Sequence, residues 1–409
     1  MKILVLNSGS SSQKACLYEI GATLPEHPAA CLWESKVEFN GDTAAISVKN
    51  AQGAVQREQI QFCSREQVVR RLLSSLTEAK APVLASVSEI DVVGHRVVHG
   101  GSQFEEPLEI TPEVRTAIAG VTDLAPLHTP AAIEGMAVAE KILGGIPQIA
   151  VFDTGFYRQM PRPAVVYPGP FDWVDGGIRR YGFHGINHQY CAVRAAQLLK
   201  TDPKSLKLVS CHIGNGCSVT AIEGGRSLDT TMGFTPLDGI MMGTRSGSVD
   251  PGILIYLMRQ HQLDHDQLDQ MLNRESGLLG ISGLSSDMRE ILAAVARGHE
   301  RAQLAFDIFV HRLRSAIGSM AAALGGIDSL VFTAGVGENS PDVREAACAT
   351  LGFLGIRLDR QRNARPELDA DISAPDSRVR VLVIRAQEDW AIAGECWKIV
   401  DSRAAVGRA

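Results

Sequence analysis

Lys2-Ile3-Leu4-Val5-Leu6-Asn7-Ser8-Gly9-Ser10-Ser11-Ser12-Gln13-Lys14-Ala15-Cys16-Leu17-Tyr18 opens the chain with a β-rich apolar run, a Ser/Gly turn and a second apolar run. This pattern predicts a strand, a tight turn and a strand. The same grammar returns in the second half. Leu206 to Cys211 is an apolar strand that runs into His212-Ile213-Gly214-Asn215-Gly216, and Val219 to Ile222 resumes it. Each half then carries a helix and a strand ending in glycine. In the first half the helix starts near Ser64, where Gln67 completes a capping box. Its apolar stripe is Val68, Val69, Leu72, Leu73 and Leu76, and the strand Ile90 to Val93 runs into Gly94-His95-Arg96. In the second half the helix covers 301–324 and stops at Gly325-Gly326. The strand Leu330 to Phe332 then runs into Ala334-Gly335-Val336-Gly337-Glu338-Asn339. A long-period echo of this kind predicts two similar α/β domains facing each other across a cleft, with a nucleotide held between two phosphate-gripping hairpins.

Around this frame, Trp33 to Phe39, Ala45 to Val48 and Val55 to Phe62 read as an antiparallel meander punctuated by Asn40-Gly41 and Gln52-Gly53. Near the end, the strand Val381 to Ile384 leads to a short helix containing Ile392 and Trp397, and 402–409 reads as a frayed tail.

Composition limits the functions open to the chain. Its 409 residues allow two or three domains, and 45% apolar content is enough for full-sized cores. A net charge of −6, with no basic block, argues against nucleic acid or anionic lipid as partners. Eight scattered cysteines without a C-x-x-C pair read as reduced thiols and point to the cytoplasm. No apolar run reaches the roughly 18 residues a transmembrane helix needs.

Several short segments carry chemistry. Gly9 lets the backbone bend toward an anion, so Asn7, Ser10, Ser12 and Lys14 form a phosphate grip or, equally, an ordinary serine-rich turn. No Walker A motif is present. Arg96, in Gly94-His95-Arg96-Val97-Val98-His99-Gly100-Gly101, and Arg245, in Met242-Gly243-Thr244-Arg245-Ser246-Gly247, sit among glycines that clear space for a planar guanidinium to meet a carboxylate or phosphoryl group. Asp153 ends an apolar strand and Glu388 follows another, positions from which a carboxylate can hold magnesium; for Glu388 a first-turn helix acid is the rival reading. His184 lies between Phe183 and Gly185.

Together these segments closely resemble the acetate kinase family, within the sugar kinase, heat-shock protein and actin superfamily. The motifs that carry the resemblance are Asn7 to Lys14, Gly94 to Gly101, Tyr181 to Gly185, His212 to Gly216, Met242 to Arg245 and Gly337 to Ser340. It implies an α/β fold of duplicated actin-like (ribonuclease H-like) domains with a nucleotide cleft, one domain being 1–150 plus 388–409 and the other 151–387. It implies ATP as co-substrate, with magnesium as the cofactor and manganese a second candidate. Asn7, Asp153 and Glu388 would sit near the metal and phosphates, Asn7 and Glu388 as metal residues, with Ser10, Ser12 and Lys14 on the nucleotide. Arg96 and Arg245 would grip the acyl and phosphoryl groups, and His184 would stand beside the transferring phosphoryl. His212, Ile213, Gly214, Asn215 and Gly216 would contact the nucleotide phosphates. Asp287, Met288 and Arg289 would contact the ribose and adenine, and Gly335, Val336, Gly337, Glu338 and Asn339 the rest of the adenosine. Val98, Leu127, Phe183 and Pro236 would line a small pocket for the substrate methyl.

The implied reaction is phosphoryl transfer from ATP to acetate, with Asp153 orienting the metal or balancing the arginines instead of accepting a proton. Propionate kinase is the nearest rival, because one methylene is worth only about 1–3 kcal/mol. Butyrate kinase fits less well, and an actin-like ATPase without a carboxylate substrate is the rival from another class. A homodimer through the second domain is also implied. The chain departs from the commonest family pattern at Tyr157 (usually His), Ile186-Asn187 (usually Thr-Ser), Ser248 (usually an acid) and Ala386-Gln387 (usually Thr-Asn).

Overall fold

The structure, a computed structural model, describes residues 1–8, 12–40, 42–61, 64–78, 82–126 and 128–406. Gly9, Ser10 and Ser11 of the first turn, Gly41, Phe62 and Leu127 lie outside the described residues. The chain divides into two compact units, 1–155 with 387–409, and 156–386. The first boundary lies five residues later than the expected 150. The reason is local: the strand carrying Asp153 pairs within the first sheet, so Asp153 belongs to the first unit and not the second.

The strands, in chain order, are β1 (Lys2–Ser8), β2 (Ser12–Glu19), β3 (Trp33–Asn40), β4 (Thr43–Asn50), β5 (Val55–Gln61), β6 (Val92–Val97), β7 (Leu108–Glu109), β8 (Gln148–Phe152), β9 (Lys207–Ile213), β10 (Cys217–Glu223), β11 (Arg226–Thr230), β12 (Ser329–Thr333), β13 (Ala370–Asp371) and β14 (Arg380–Val383). The first sheet has the order β5-β4-β3-β2-β1-β6-β8-β7 and the second β11-β10-β9-β12-β14-β13. Six strands correspond one to one. In each unit an antiparallel hairpin (β1-β2, β9-β10) carries a third antiparallel strand on one side. On its other side lie two parallel strands and a short antiparallel edge. The repeat expected from the two glycine turns is thus a repeat of topology, with β4 and β5 added to the first unit.

Strand alternation divides the first sheet's side chains between two helical layers. Leu4 and Leu6 join a core with the helices Arg65–Glu78 and Thr129–Leu143, including all five predicted residues of the stripe, Val68, Val69, Leu72, Leu73 and Leu76. Ser64 caps the first of these helices by accepting a hydrogen bond from the Gln67 amide at 3.2 Å. The other face meets the helix Glu388–Val406, which packs on β1 and β6. A Cβ at Gly94 on β6 would fall 2.7 Å from both Cys396 Sγ and Ile392 Cγ2, so glycine there lets the helix seat closely. This helix is 19 residues long, not short, and it runs through Ser402 to Val406, which were expected to fray. Its Trp390, Ile392, Ala393 and Cys396 are buried and hold it down. β6 starts two residues later than expected and continues through Gly94-His95-Arg96, because its pairing with β8 extends to Val97. In the second unit the helix Gly185–Leu199 packs on β9 and β12, and the helix Glu300–Ala323 on β9, β10 and β11. Among the described residues no helix is long and apolar enough to cross a membrane.

Candidate active-site residues in the two units

β1, β6 and β8 run parallel side by side, so Asn7, Arg96 and Asp153 come together at their carboxyl ends, where open α/β sheets present ligand-binding groups. The Arg96 guanidinium lies 2.6 Å (Nη2) and 3.2 Å (Nε) from the Asp153 carboxylate. Its Nη1 donates to Asn7 Oδ1 at 3.3 Å and stands 3.5 Å from Glu388 Oε2. Burial works against the Arg96 charge, but Asp153 and Glu388 more than offset it and hold the guanidinium above its ordinary pKa. Asp153 itself is buried. Both of its oxygens are engaged by Arg96, whose charge it balances.

Glu388 is the first residue of the last helix, where the rival reading as a first-turn acid put it. Asn7 Nδ2 reaches Glu388 at 3.4 Å and Asp389 at 3.2 Å. Asp389 is a residue that sequence reasoning passed over, and burial pushes its carboxyl above the usual range. The doublet Glu388-Asp389 after a strand was the available signal. Lys14 pairs with Asn7 across the hairpin and is exposed, and Ser12 begins β2. Of the other two polar side chains in the Gly94 to Gly101 segment, His95 bonds Gln148 (2.6 Å) and His99 accepts from the Gly101 amide (2.8 Å); burial lowers both to about 4, so they are structural and neutral.

The oxygen set of Asp153, Glu388, Asp389 and Asn7 suits a hard divalent cation. Among the described residues no three His, Cys, Asp or Glu side chains form a ready-made metal cage. Magnesium needs none, since it keeps several waters and takes one or two carboxylates plus substrate phosphates.

The second unit brings its candidates to the end of β9. His184 adopts the left-handed conformation (φ 59°, ψ 23°) that starts the Gly185 helix, an arrangement costly for a residue with a Cβ. Tyr157 supports it: the phenol donates to the Phe183 carbonyl at 2.6 Å and lies 3.2 Å from Thr220 Oγ1. The departure at 157 therefore has a structural task beside His184. The His184 ring stacks on His212, with centroids 4.0 Å apart and planes 6° apart. Its Nδ1 lies 2.9 Å from Ser218 Oγ, which is also 2.7 Å from His188 Nε2. Beside them, a Cβ placed on Gly216 would sit 3.5 Å from both His184 Nε2 and Arg245 Nη1. Arg245 is half-buried; its guanidinium donates to the Pro236 carbonyl at 3.3 Å, and no ion pair to it is found among the described residues. Burial lowers its pKa. Arg180, not singled out from sequence, holds the loop before Pro236 by donating to the carbonyls of Thr230, Thr231 and Met232.

Gly335 to Asn339 form a short helix, Ala334–Asn339, instead of an open turn. Gly335 and Asn339 are exposed, Val336 is half-buried and Gly337 is buried. Glu338 accepts from the Ala386 amide at 2.8 Å, so it ties the helix to the chain after β14. Arg344, fully buried, fastens the same helix through the carbonyls of Gly337 (2.8 Å) and Glu338 (2.9 Å). Asp287 caps the helix Met288–Ala296 and pairs with the exposed Arg289. Met288 and Ile213 turn their side chains into the core, as do Val98 in the first unit and Phe183 in the second. Asn215 Oδ1 lies 2.3 Å from where a Cβ of Gly243 would be, which ties the glycine before Arg245 to the His212 turn.

The family model of the acetokinase family matches residues 2–394. Acetate kinase of Trichormus variabilis is 57% identical over 405 residues, covering 98% of this chain and all of that protein. The crystal structure of Porphyromonas gingivalis acetate kinase superposes with a TM-score of 0.89 at 41% identity, covering 98% and 99% of the two chains. That of a propionate kinase from Francisella tularensis gives 0.88 at 37% identity, covering 96% and 98%.

Proposed function

The chain belongs to the acetokinase family, and from that membership we propose that it transfers the γ-phosphoryl group of ATP to acetate, reversibly, giving acetyl phosphate and ADP. The observation that carries the reading is Arg245, a half-buried guanidinium without a carboxylate partner among the described residues, beside His184 at a glycine turn. Such a group is an acceptor for an anion. Acetate is already ionised at neutral pH, so the chemistry needs no strong base. What it needs is support for the charge on a loose, in-line phosphoryl transition state. Arg245 and His184 supply cationic and N–H donors to the transferring group. In the first unit Arg96 is held by Asp153 and directs its remaining N–H toward Asn7, on the proposed acyl and phosphate side. Magnesium, held by Asn7 and Glu388 with Asp153 and Asp389 close by, would neutralise phosphate charge when bound, and manganese is a second candidate. His212, Asn215 and the glycines at 214 and 216 would meet the nucleotide phosphates. The exposed Gly335 and Asn339, with Arg289, are the proposed adenosine contacts, and Ser10, Ser12 and Lys14 the remaining phosphate ones.

Named acetate kinases at 57% identity favour acetate over propionate, for which the Francisella structure is the specific reason to test both acids. The test is ATP consumption on added acetate or propionate, trapped as acyl hydroxamate. Consumption that depends strictly on acetate is the expected result. Turnover without any carboxylate would sink the proposal in favour of an ATPase.

Seven described cysteines are free thiols, six of them buried, which supports the cytoplasm as the working compartment. The helix Pro251–His261 has no buried residue, and its Ile253, Ile255, Tyr256 and Met258 are exposed. An unpartnered apolar helix in the second unit supports a homodimer formed there.

A further inference from the structure

The two stacked histidines differ in what faces their Nδ1 atoms. That of His184 meets the Ser218 hydroxyl, which can donate or accept. That of His212 meets the Asn187 side-chain amide, 2.9 Å from Nδ2. An amide nitrogen only donates, so a hydrogen bond here requires a lone pair on His212 Nδ1 and leaves the ring proton on Nε2. In this orientation both ends of the Asn187 amide find partners. Nδ2 also reaches Thr333 Oγ1 at 3.3 Å, and Oδ1 lies 3.9 Å from Cys191 Sγ, a thiol donor one helical turn on. Asn187 is fully buried, so no water competes for this position.

Charge points the same way. Two imidazolium rings with centroids 4.0 Å apart would repel each other strongly. His188, whose ring centroid is 6.0 Å from that of His212, is fully buried and pushed well below its ordinary pKa, chiefly by burial. The remaining cationic group on this side is Arg245, near His184 Nε2. His212 Nε2 lies beside the turn, 3.8 Å from where a Cβ of Gly214 would be.

We propose that Asn187 is a positioning residue that locks His212 as the neutral Nε2–H tautomer, so that His212 presents a fixed N–H donor at the Gly214 to Gly216 turn. This deepens, and rests on, the kinase reading, in which that turn meets nucleotide phosphates.

The test is the ring ¹⁵N signature of histidine in the full-length protein at pH 7, with His212 assigned by the signals lost in His212→Gln. A pyridine-like Nδ1 and a protonated Nε2 at His212 are expected. Asn187→Asp replaces the donor with an acceptor of the same shape, so His212 should gain a proton at Nδ1. Turnover should fall about 10–100-fold, as for other residues that orient a ligand through hydrogen bonds. KM for ATP should rise while KM for acetate stays within about two-fold, a split that general loosening of the fold would not produce. Wild-type His212 carrying Nδ1–H or a full imidazolium at pH 7 overturns the proposal, even if Asn187→Asp fails to fold. An unchanged His212 signature in a folded Asn187→Asp also overturns it. Absence of acetate-dependent ATP consumption in the wild type sinks the kinase reading instead, and leaves the tautomer result standing.

Discussion

Arg96 and Arg245 stand in similar glycine-rich segments, yet their surroundings give them opposite tasks. Arg96 is ion-paired with Asp153 and Glu388, whereas no ion pair to Arg245 is found among the described residues. Arg245→Ala should therefore lower kcat by about 10³-fold or more and leave the melting temperature near wild type, since it breaks no ion pair. Arg96→Ala strands a buried Asp153 and should cost about 3–5 kcal/mol of stability in addition to activity. Steady-state kinetics and thermal melts on both variants check this. An Arg245→Ala enzyme with near-normal turnover, or an Arg96→Ala protein as stable as the parent, would remove the assigned roles. The sequence made both arginines conspicuous through their glycines, but it could not distinguish them, because the acids that pair with Arg96 lie 57 and 292 positions away and no acid among the described residues pairs with Arg245. For the same reason the tasks of His188 and Arg344 were silent, and Asn187 showed only as a departure from the family pattern: the partners Ser210, Ser218, Thr333 and Asn363 all lie far along the chain from them.

At the scale of elements, the hairpins and the apolar helices were legible because their periodicity is local. The stripe from Val68 to Leu76 needed only the spacing of five residues. The last helix was harder to read: its mean pattern is weakly amphipathic, and its hold depends on a glycine 300 residues earlier meeting Ile392 and Cys396. That contact yields a prediction. Gly94→Ala should destabilise the protein by about 1–3 kcal/mol, the usual range for an overpacked core, and Cys396→Ala in the same chain should return part of the loss. Urea unfolding of the single and double variants measures both. A Gly94→Ala protein with unchanged stability would show that the helix does not need this close approach. Because Glu388 and Asp389 begin the same helix, the Gly94→Ala variant should also weaken the proposed magnesium binding.

For the molecule as a whole, the six-strand correspondence between the sheets was foreshadowed by two glycine turns, and the meander that supplies β3, β4 and β5 by its alternation, while which of these strands belong to the repeat and where the chain divides were settled only by pairing. The exposed helix Pro251–His261 makes a prediction at this scale. The wild type should sediment as a dimer at micromolar concentration, and Ile255→Asp with Tyr256→Asp should yield a folded monomer. A wild-type monomer under those conditions would exclude the homodimer. The division into units has a temporal side as well. The second unit is one continuous stretch, 156–386, whereas the first draws its final helix from 387 onward. On a ribosome adding roughly 5–20 residues per second, domains fold as units when their chain is out. The second unit can therefore close while the β1 and β6 face of the first still lacks its cover. The half that begins synthesis is the half that finishes last, and Glu388 and Asp389 arrive with the piece that completes it. A nascent chain therefore carries this apolar sheet face uncovered until residues 387 onward have emerged.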